Sequence, residues 1–322
     1  MMKVRPIFIF SLPRSGSTFL QRLIAANDLV STTSEPWLLL PFFYNRPNSG
    51  IYAEYNHNDY CEALNEFIRV LPRENNDYNE AIRRFAGYLY SSVSTNHAKY
   101  FLDKTPRYHL IANDIISAFP DGKFIFLWRN PLSTVSSIME TWRNGEWNLH
   151  RFHIDLYKGL SNLIDAWLSN KNKCISITYE ELIRDTENSI ELICDYLNLP
   201  FSSKILNEFT GVNLKGNFGD QVGLRKYNNV ASDTLDKWKR TLNNPIRKKW
   251  VLNYINWIGE ERLKIIGYDI HTIIDEVNDM SINMKHTISD ILGIGKGLLY
   301  PWIEPDIYRS KIKDNRNRYL HF

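Results

Sequence analysis

Cysteine is scarce: Cys61, Cys174 and Cys194 are the only three in 322 residues. Thiols so few and so scattered exclude a disulfide framework and a zinc knuckle. Cys174, opening an apolar stretch, and Cys194, inside a helical pattern, read as small core residues. Long hydrophobic runs are missing too. The longest, Trp37–Tyr44, is interrupted by Pro41 and falls far short of the ~20 apolar residues that span a bilayer. Neither sign of charge dominates, with 39 Lys plus Arg against 36 Asp plus Glu and a net charge of +3. That balance argues against a general nucleic-acid binder and leaves room for a local basic cleft. No repeat, low-complexity linker or Pro/Gly-rich hinge divides the chain, so its length allows one large α/β domain or two small ones. The first apolar strand begins within a few residues of Met1, with no charged-then-apolar leader before it. The expectation is a cytoplasmic chain without an integral membrane span; its oligomeric state is not specified.

What is present is concentrated at the start. Pro6–Phe10 is apolar without alternation, which suits a parallel strand covered on both faces. Phe19, Leu20, Leu23 and Ile24 give the segment Ser17–Ala26 one apolar helical face. Between strand and helix, Ser11-Leu12-Pro13-Arg14-Ser15-Gly16-Ser17-Thr18 offers backbone N–H groups, hydroxyls and one guanidinium at a helix N-terminus. Such a loop suits a phosphate or sulfate, although small polar residues also serve turns and caps. It is not a Walker A loop, because Ser11 stands for the first Gly and Ser17 for the Lys. An ATPase, GTPase or P-loop kinase is therefore not expected.

A second strand, Lys123–Trp128, is followed by Arg129-Asn130-Pro131 and a helix carrying Ser137. Arg129 lies where open parallel sheets place their ligands. Arg129 and Ser137 would converge on a second phosphate; alternatively, Arg129 is met by a carboxylate and Ser137 faces solvent. Further strands are expected at Lys99–Leu102 and Cys174–Thr178, and helices at Arg107–Ala118, Pro131–Thr141, Ile154–Ser169 and Ser189–Leu197. The alternation predicts βαβ units around a parallel sheet. Residues 45–95 form a helical insertion over the sheet's carboxyl edge. The tail from about residue 270 mixes Lys285, Lys296, Lys311 and Lys313 with apolar residues. It suits an arm packed on the body, ahead of contact with a membrane surface.

These blocks resemble the sulfotransferases that use 3′-phosphoadenosine 5′-phosphosulfate (PAPS), nearest the carbohydrate and tyrosylprotein branch and bacterial in type. The match lies in Pro13-Arg14-Ser15-Gly16-Ser17-Thr18, in Arg129-Asn130-Pro131 with Ser137, in Asp103-Lys104-Thr105-Pro106 and in Tyr179-Glu180-Glu181-Leu182. Arg225-Lys226-Tyr227, followed by Leu235 and Trp238, resembles that branch's basic loop and helix. The resemblance implies an α/β fold, a P-loop-like three-layer sandwich with a central parallel sheet between helices. It implies a sulfotransferase domain over residues 1–270 and a C-terminal extension over 271–322. Arg14, Ser15, Gly16, Ser17 and Thr18 would bind the 5′-phosphosulfate, Arg129 and Ser137 the 3′-phosphate, and Tyr179 would lie beside the adenine. Arg225 and Lys226 would also hold the nucleotide. PAPS is then a co-substrate released as PAP, with no metal; His150 and His153 lack a third ligand nearby.

The family's Lys near the reaction centre corresponds to Lys104, which would alternatively form an ion pair with Asp103 or Glu35. The resemblance implies Glu35 as the base, where tyrosylprotein-type relatives carry a Glu; alternatively Glu35 is a surface residue starting a turn before Pro36. Its rival as base is His109, set wider from Lys104 than the His of cytosolic relatives. Trp37, Phe42, Phe43, Tyr44, Tyr52, Tyr55, Trp142 and Trp147 would line an aromatic acceptor site, and aromatic faces suit sugar rings and phenols alike. A saccharide or small-molecule hydroxyl is the favoured acceptor, and a peptide tyrosine stays open. A non-catalytic nucleotide-binding protein on the same fold is the competing class.

Overall fold

Strands apolar on both faces need cover on both faces, and the fold supplies it. The computed structural model describes residues 4–43, 57–212, 214 and 235–303. Its strands are β1 (Arg5–Phe10), β2 (Val30–Thr32), β3 (Tyr100–Asp103), β4 (Lys123–Trp128) and β5 (Cys174–Thr178). They form one parallel sheet in the order β2-β3-β1-β4-β5. Its helices of six residues or more are α1 (Ser17–Ala25), α2 (His57–Val70), α3 (Asn75–Val93), α4 (Ala112–Ala118), α5 (Pro131–Arg143) and α6 (Leu160–Asn170). They continue with α7 (Tyr179–Arg184), α8 (Thr186–Leu197), α9 (Pro245–Ile258), α10 (Glu260–Ile265), α11 (Ile270–Asp279) and α12 (Thr287–Ile303).

The period-two pleat sorts each strand's residues into two cores. Phe8, Phe10, Phe101, Phe124 and Phe126 face one side, where Ile82 and Ala86 of α3, Ile115 of α4, Val135 of α5 and Leu163 of α6 cover them. Phe8 and Phe124 stack with ring centroids 5.9 Å apart. Ile7, Ile9, Leu102, Ile125 and Leu127 face the other, beneath Phe19 and Leu23 of α1 and Leu182, Ile193 and Leu197 from α7 and α8. This is the three-layer α/β arrangement that the consecutive apolar residues predict. Val251, Tyr254 and Ile255 of α9, with Ile273 and Val277 of α11, extend the first core.

The fold differs from the sequence reading at four points. β2 is three residues long and reads Val-Ser-Thr, too short and polar to register as a strand. The helix expected over Arg107–Ala118 is split into a 3₁₀ turn at Pro106–Leu110 and α4. The helix expected from Ile154 opens instead as a π-helical turn, Ile154–Gly159, ahead of α6. Within the helical insertion, α3 packs on a sheet face through Ile82, Ala86 and Tyr90, rather than only over the edge.

α12 is tied to the body by a buried ion pair. Arg247 Nε donates to Asp290 Oδ2 at 2.6 Å and Nη2 to Asp290 Oδ1 at 2.7 Å, while Asn244 Nδ2 also reaches Oδ2. Arg247→Met would strand the Asp290 carboxylate in the interior. The expected loss is roughly 3–5 kcal/mol, read as a lower urea midpoint that a second change, Asp290→Leu, largely restores.

Candidate active site

Every strand delivers a polar group at its carboxyl end. β1 runs into Ser11, β2 ends three residues before Glu35, β3 precedes Lys104, β4 precedes Arg129 and β5 precedes Tyr179. In a parallel sheet these ends share one edge. The chain leaves β1 toward β2 on one side and later crosses to β4 on the other, so β1 marks the switch point.

The loop after β1 turns through two left-handed residues, Arg14 (φ 66°) and Gly16 (φ 87°). Glycine is required at the second, since a Cβ there would lie 2.3 Å from Cδ2 of Tyr179. Gly16 is the N-cap of α1, and no side chain caps that helix. Its leading N–H groups therefore suit an external anion. Ser15, Ser17 and Thr18 are buried around this helix start, and the Ser11 hydroxyl is buried without a hydrogen-bond partner.

Arg14 and Arg129 meet here. Arg129 Nη1 donates to the Arg14 carbonyl at 2.6 Å, and its guanidinium carbon stands 4.4 Å from the centroid of the Tyr179 ring. Arg14 Nε donates to Ser137 Oγ at 3.4 Å, and its guanidinium carbon is 6.0 Å from the Trp142 ring centroid. Asn130 caps α5 by accepting from the N–H groups of Leu132 and Ser133, and Glu180 accepts from Asn130 N. The alternative of a carboxylate partner for Arg129 and a solvent-facing Ser137 is not what forms: Ser137 receives Arg14, and Arg129 stacks on an aromatic ring. The Nε of Arg129 is buried without a hydrogen-bond partner. A guanidinium with an unspent donor beside an uncapped helix start is chemistry that fits phosphate. Tyr179, expected beside an adenine, is 1% exposed and lies beneath Gly16 and Arg129, where its ring braces both.

The second half of the site centres on Lys104. Its Nζ lies 2.7 Å from Glu35 Oε1 and 3.2 Å from Thr18 Oγ1. The ammonium side chain is 2% exposed and the Glu35 side chain 9%. Of the two ion pairs open to Lys104 from the sequence, the one with Glu35 forms. Trp37 Nε1 donates to the other Glu35 oxygen at 3.4 Å. Thr18 thus joins the anion loop to a buried acid–base pair.

Asp103, offered by the sequence as an ion-pair partner for Lys104, instead holds this region in place through hydroxyl donors. The hydroxyls of Tyr90, Tyr108 and Thr105 all donate to its carboxylate, at 2.5, 2.9 and 3.3 Å. Tyr108 and Thr105 in turn accept the N–H groups of Leu39 and Trp37, so the segment after Glu35 hangs from β3. Gln21 Nε2 anchors the preceding residues by donating to Thr32 Oγ1 and the Thr33 carbonyl. Neither hub has a sequence signal, because Tyr90 and Gln21 reach their partners only through packing.

Burial raises the Asp103 carboxyl from 3.8 to about 6, against the lowering effect of its three hydroxyl donors and Lys104. Between these values the folded chain keeps a proton that the unfolded chain has released. This group's contribution to stability is therefore fullest below about pH 4 and is lost as pH rises through about 6. Asp103→Asn removes that titration. Its stability relative to wild type should improve by roughly 2–3 kcal/mol between about pH 4 and pH 7, measured by urea unfolding at both ends.

His109 is not brought to this cluster. It is 0% exposed, its Nε2 lies 2.7 Å from Asp155 Oδ1, and a Cβ on Gly159 would sit 2.6 Å from its Nδ1. Burial lowers its pKa despite the adjacent carboxylate, which favours the neutral ring. Of the expected acceptor-lining aromatics, Phe43 and Trp147 are buried in the core. Trp37 and Trp142 are exposed, and Trp142 stacks on Phe152 with centroids 4.6 Å apart. Tyr44, Tyr52, Tyr55, Arg225 and Lys226 lie outside the described residues. Trp238 is buried in the first core, and Ser133 Oγ donates to the Leu235 carbonyl. His153 stacks on Tyr157, and among the described residues no group of three or more His, Cys, Asp or Glu is placed to hold a metal ion.

Comparison with known proteins gives this geometry a family. The model of the Sulfotransferase family matches residues 6–203, more than half of the chain. The nodulation protein NoeE of Sinorhizobium fredii is 29% identical over 141 residues, covering 42% of this chain and 31% of that protein. This chain therefore corresponds to less than a third of that relative's length. A candidate protein-tyrosine sulfotransferase of Caenorhabditis briggsae is 22% identical over 250 residues, covering 72% of this chain and 80% of the relative. Among solved structures, the sulfotransferase domain from the curacin biosynthetic pathway aligns at a TM-score of 0.49 and 22% identity, over 73% of this chain and 90% of that domain.

Proposed function

This chain belongs to the sulfotransferase family, and we propose that it moves a sulfuryl group from PAPS to an acceptor hydroxyl, with Glu35 as general base. The observation that carries the reading is Lys104 Nζ set between Glu35 Oε1 and Thr18 Oγ1, which couples a proton acceptor to an anion-binding loop. PAPS supplies the activated sulfuryl group and a phosphate that leaves with the electron pair of the broken S–O bond.

The chain's own residues do the rest. The open N-terminus of α1, with Arg14, Ser15, Gly16, Ser17 and Thr18, holds the 5′ end and offsets charge on the departing oxygen. Arg129, braced by Tyr179, turns its unspent Nε–H toward the 3′-phosphate, with Ser137 as the hydroxyl donor. Glu35 takes the acceptor's proton as its oxygen attacks sulfur. Lys104 releases Glu35 and faces the oxygen that leaves. His109, enclosed with Asp155, keeps a structural role. The exposed Trp142 face beside Arg14 suits the flat side of a saccharide ring or another small acceptor.

Calorimetry with adenosine 3′,5′-bisphosphate and with ATP tests the nucleotide. We expect binding of the bisphosphate in preference to ATP, weakened by at least about tenfold in Arg129→Ala, the usual worth of a charge-assisted contact. Absence of binding heat with the bisphosphate would refute the reading. Tight binding with no transfer of labelled sulfate to host glycans, lipids or small metabolites would favour a non-catalytic nucleotide-binding protein.

A further inference from the structure

Among the described residues, the last helix packs by one side only. On its inner face Asp290 is locked to Arg247. Gly293 and Gly297, one turn apart, let the backbone settle on Trp147 and His150. Added Cβ atoms would lie 2.9 Å from the Trp147 carbonyl oxygen and 3.0 Å from His150 Cβ. The opposite face carries Ile288, Ile291, Leu292, Leu298 and Leu299, a helical stripe about 17 Å long at 1.5 Å per residue. Ile282 and Met284 extend it, and these seven side chains are 57% to 77% exposed. Contiguous apolar surface of this kind marks a place of contact.

Charge selects what it contacts. Thr287–Ile303 contains two charged residues, Asp290 and Lys296. Asp290 is buried in its ion pair, so the charge this helix exposes is positive. Exposed Arg143 and Arg151 lie on the same flank, near enough to His150 that they and Lys296 add to the burial that lowers its pKa. Exposed Lys285 precedes the stripe. Glu146 is the exposed acid beside Trp147. The sequence after Ile303 adds Arg309, Lys311, Lys313, Arg316 and Arg318 against Glu304, Asp306 and Asp314. An apolar stripe bordered by cations suits an apolar surface bearing anions. Pairing with a second copy would bring like charges together. No helix among the described residues is long and apolar enough to cross a membrane, so the contact is peripheral.

We infer that α12 seats this protein on an anionic lipid surface, its apolar stripe at the headgroup boundary and Lys296, Arg143 and Lys285 against lipid phosphates. The inference does not depend on the reaction proposed above. It is tested by co-sedimentation of the full chain with vesicles of phosphatidylcholine, alone or with about one third phosphatidylglycerol. Binding is expected to the mixed vesicles and to weaken as salt rises. The double change Leu292→Asp/Leu299→Asp should lower the bound fraction at least about tenfold. Its melting temperature should change little, because both residues are more than half exposed. Lys296→Glu/Arg143→Glu should reduce binding to the anionic vesicles alone. Protein that stays in the supernatant with both vesicle types overturns the inference. So does a solution dimer, without vesicle binding, that the double aspartate variant splits into monomers, which would assign the stripe to a second copy. Vesicle binding that appears only after removal of residues 304–322 would assign it to the chain's own end and equally overturn it.

Discussion

Glu35→Gln is expected to lower kcat for sulfuryl transfer by roughly two to four orders of magnitude, the usual worth of a positioned general base. Affinity for adenosine 3′,5′-bisphosphate should change little. Glutamine keeps the volume of the side chain and an oxygen that can accept from Lys104 Nζ, while its NH2 replaces the oxygen that accepts the longer bond from Trp37 Nε1. The substitution removes the capacity to take a proton. Single-turnover rates with labelled PAPS, beside calorimetry of the product nucleotide, separate the two quantities. The control is His109→Gln. That ring is enclosed by Asp155 and Gly159, so the change should cost stability through a disturbed buried hydrogen bond while leaving most of the transfer rate. A reversed result, with His109→Gln abolishing transfer and Glu35→Gln nearly active, would move the base to His109.

Lys104→Ala should lower kcat by roughly two to three orders of magnitude, comparable to removing one preorganised donor that faces developing charge. The Kd for the bisphosphate should stay within about threefold, because the contacts proposed for its phosphates belong to the α1 loop, Arg129 and Ser137. The same substitution leaves Glu35, 9% exposed, without its cation. Some loss of stability is therefore expected as well, and rates should be taken at a temperature where the variant is folded. A large loss of affinity with kcat preserved would place Lys104 in ground-state nucleotide binding instead.

Much of this site could be read before folding was considered. The backbone after a buried parallel strand must emerge at the carboxyl edge, so Ser11, Lys104, Arg129 and Tyr179 are placed there by β1, β3, β4 and β5 alone. The helix starts at Ser17 and Pro131 follow equally from local sequence, through small polar residues before an apolar face and through Asn-Pro capping. What escaped depends on packing. β2 was hidden by its length and polarity, and with it the strand end that positions Glu35. Tyr179 carries a motif position, but its work beneath Gly16 and Arg129 arises where α7 meets the first loop. His109 lies close to Lys104 in sequence, yet the 3₁₀ turn at Pro106–Leu110 directs its ring into the body.

By itself the sequence determined the layers, the strand ends that carry chemistry, and the family whose motifs they compose, because runs of apolar residues and short capped loops act over a few residues. The tertiary structure alone decided which groups meet. Lys104 and Glu35 are 69 residues apart, and Arg14 and Ser137 are 123 apart. The same holds for the outward stripe of α12: its apolar residues are plain in the sequence, but only the seating of Gly293 and Gly297 on Trp147 and His150 turns them to the outside. Pairings at such separations are set by how strands order and helices pack, and neither is encoded in any one segment.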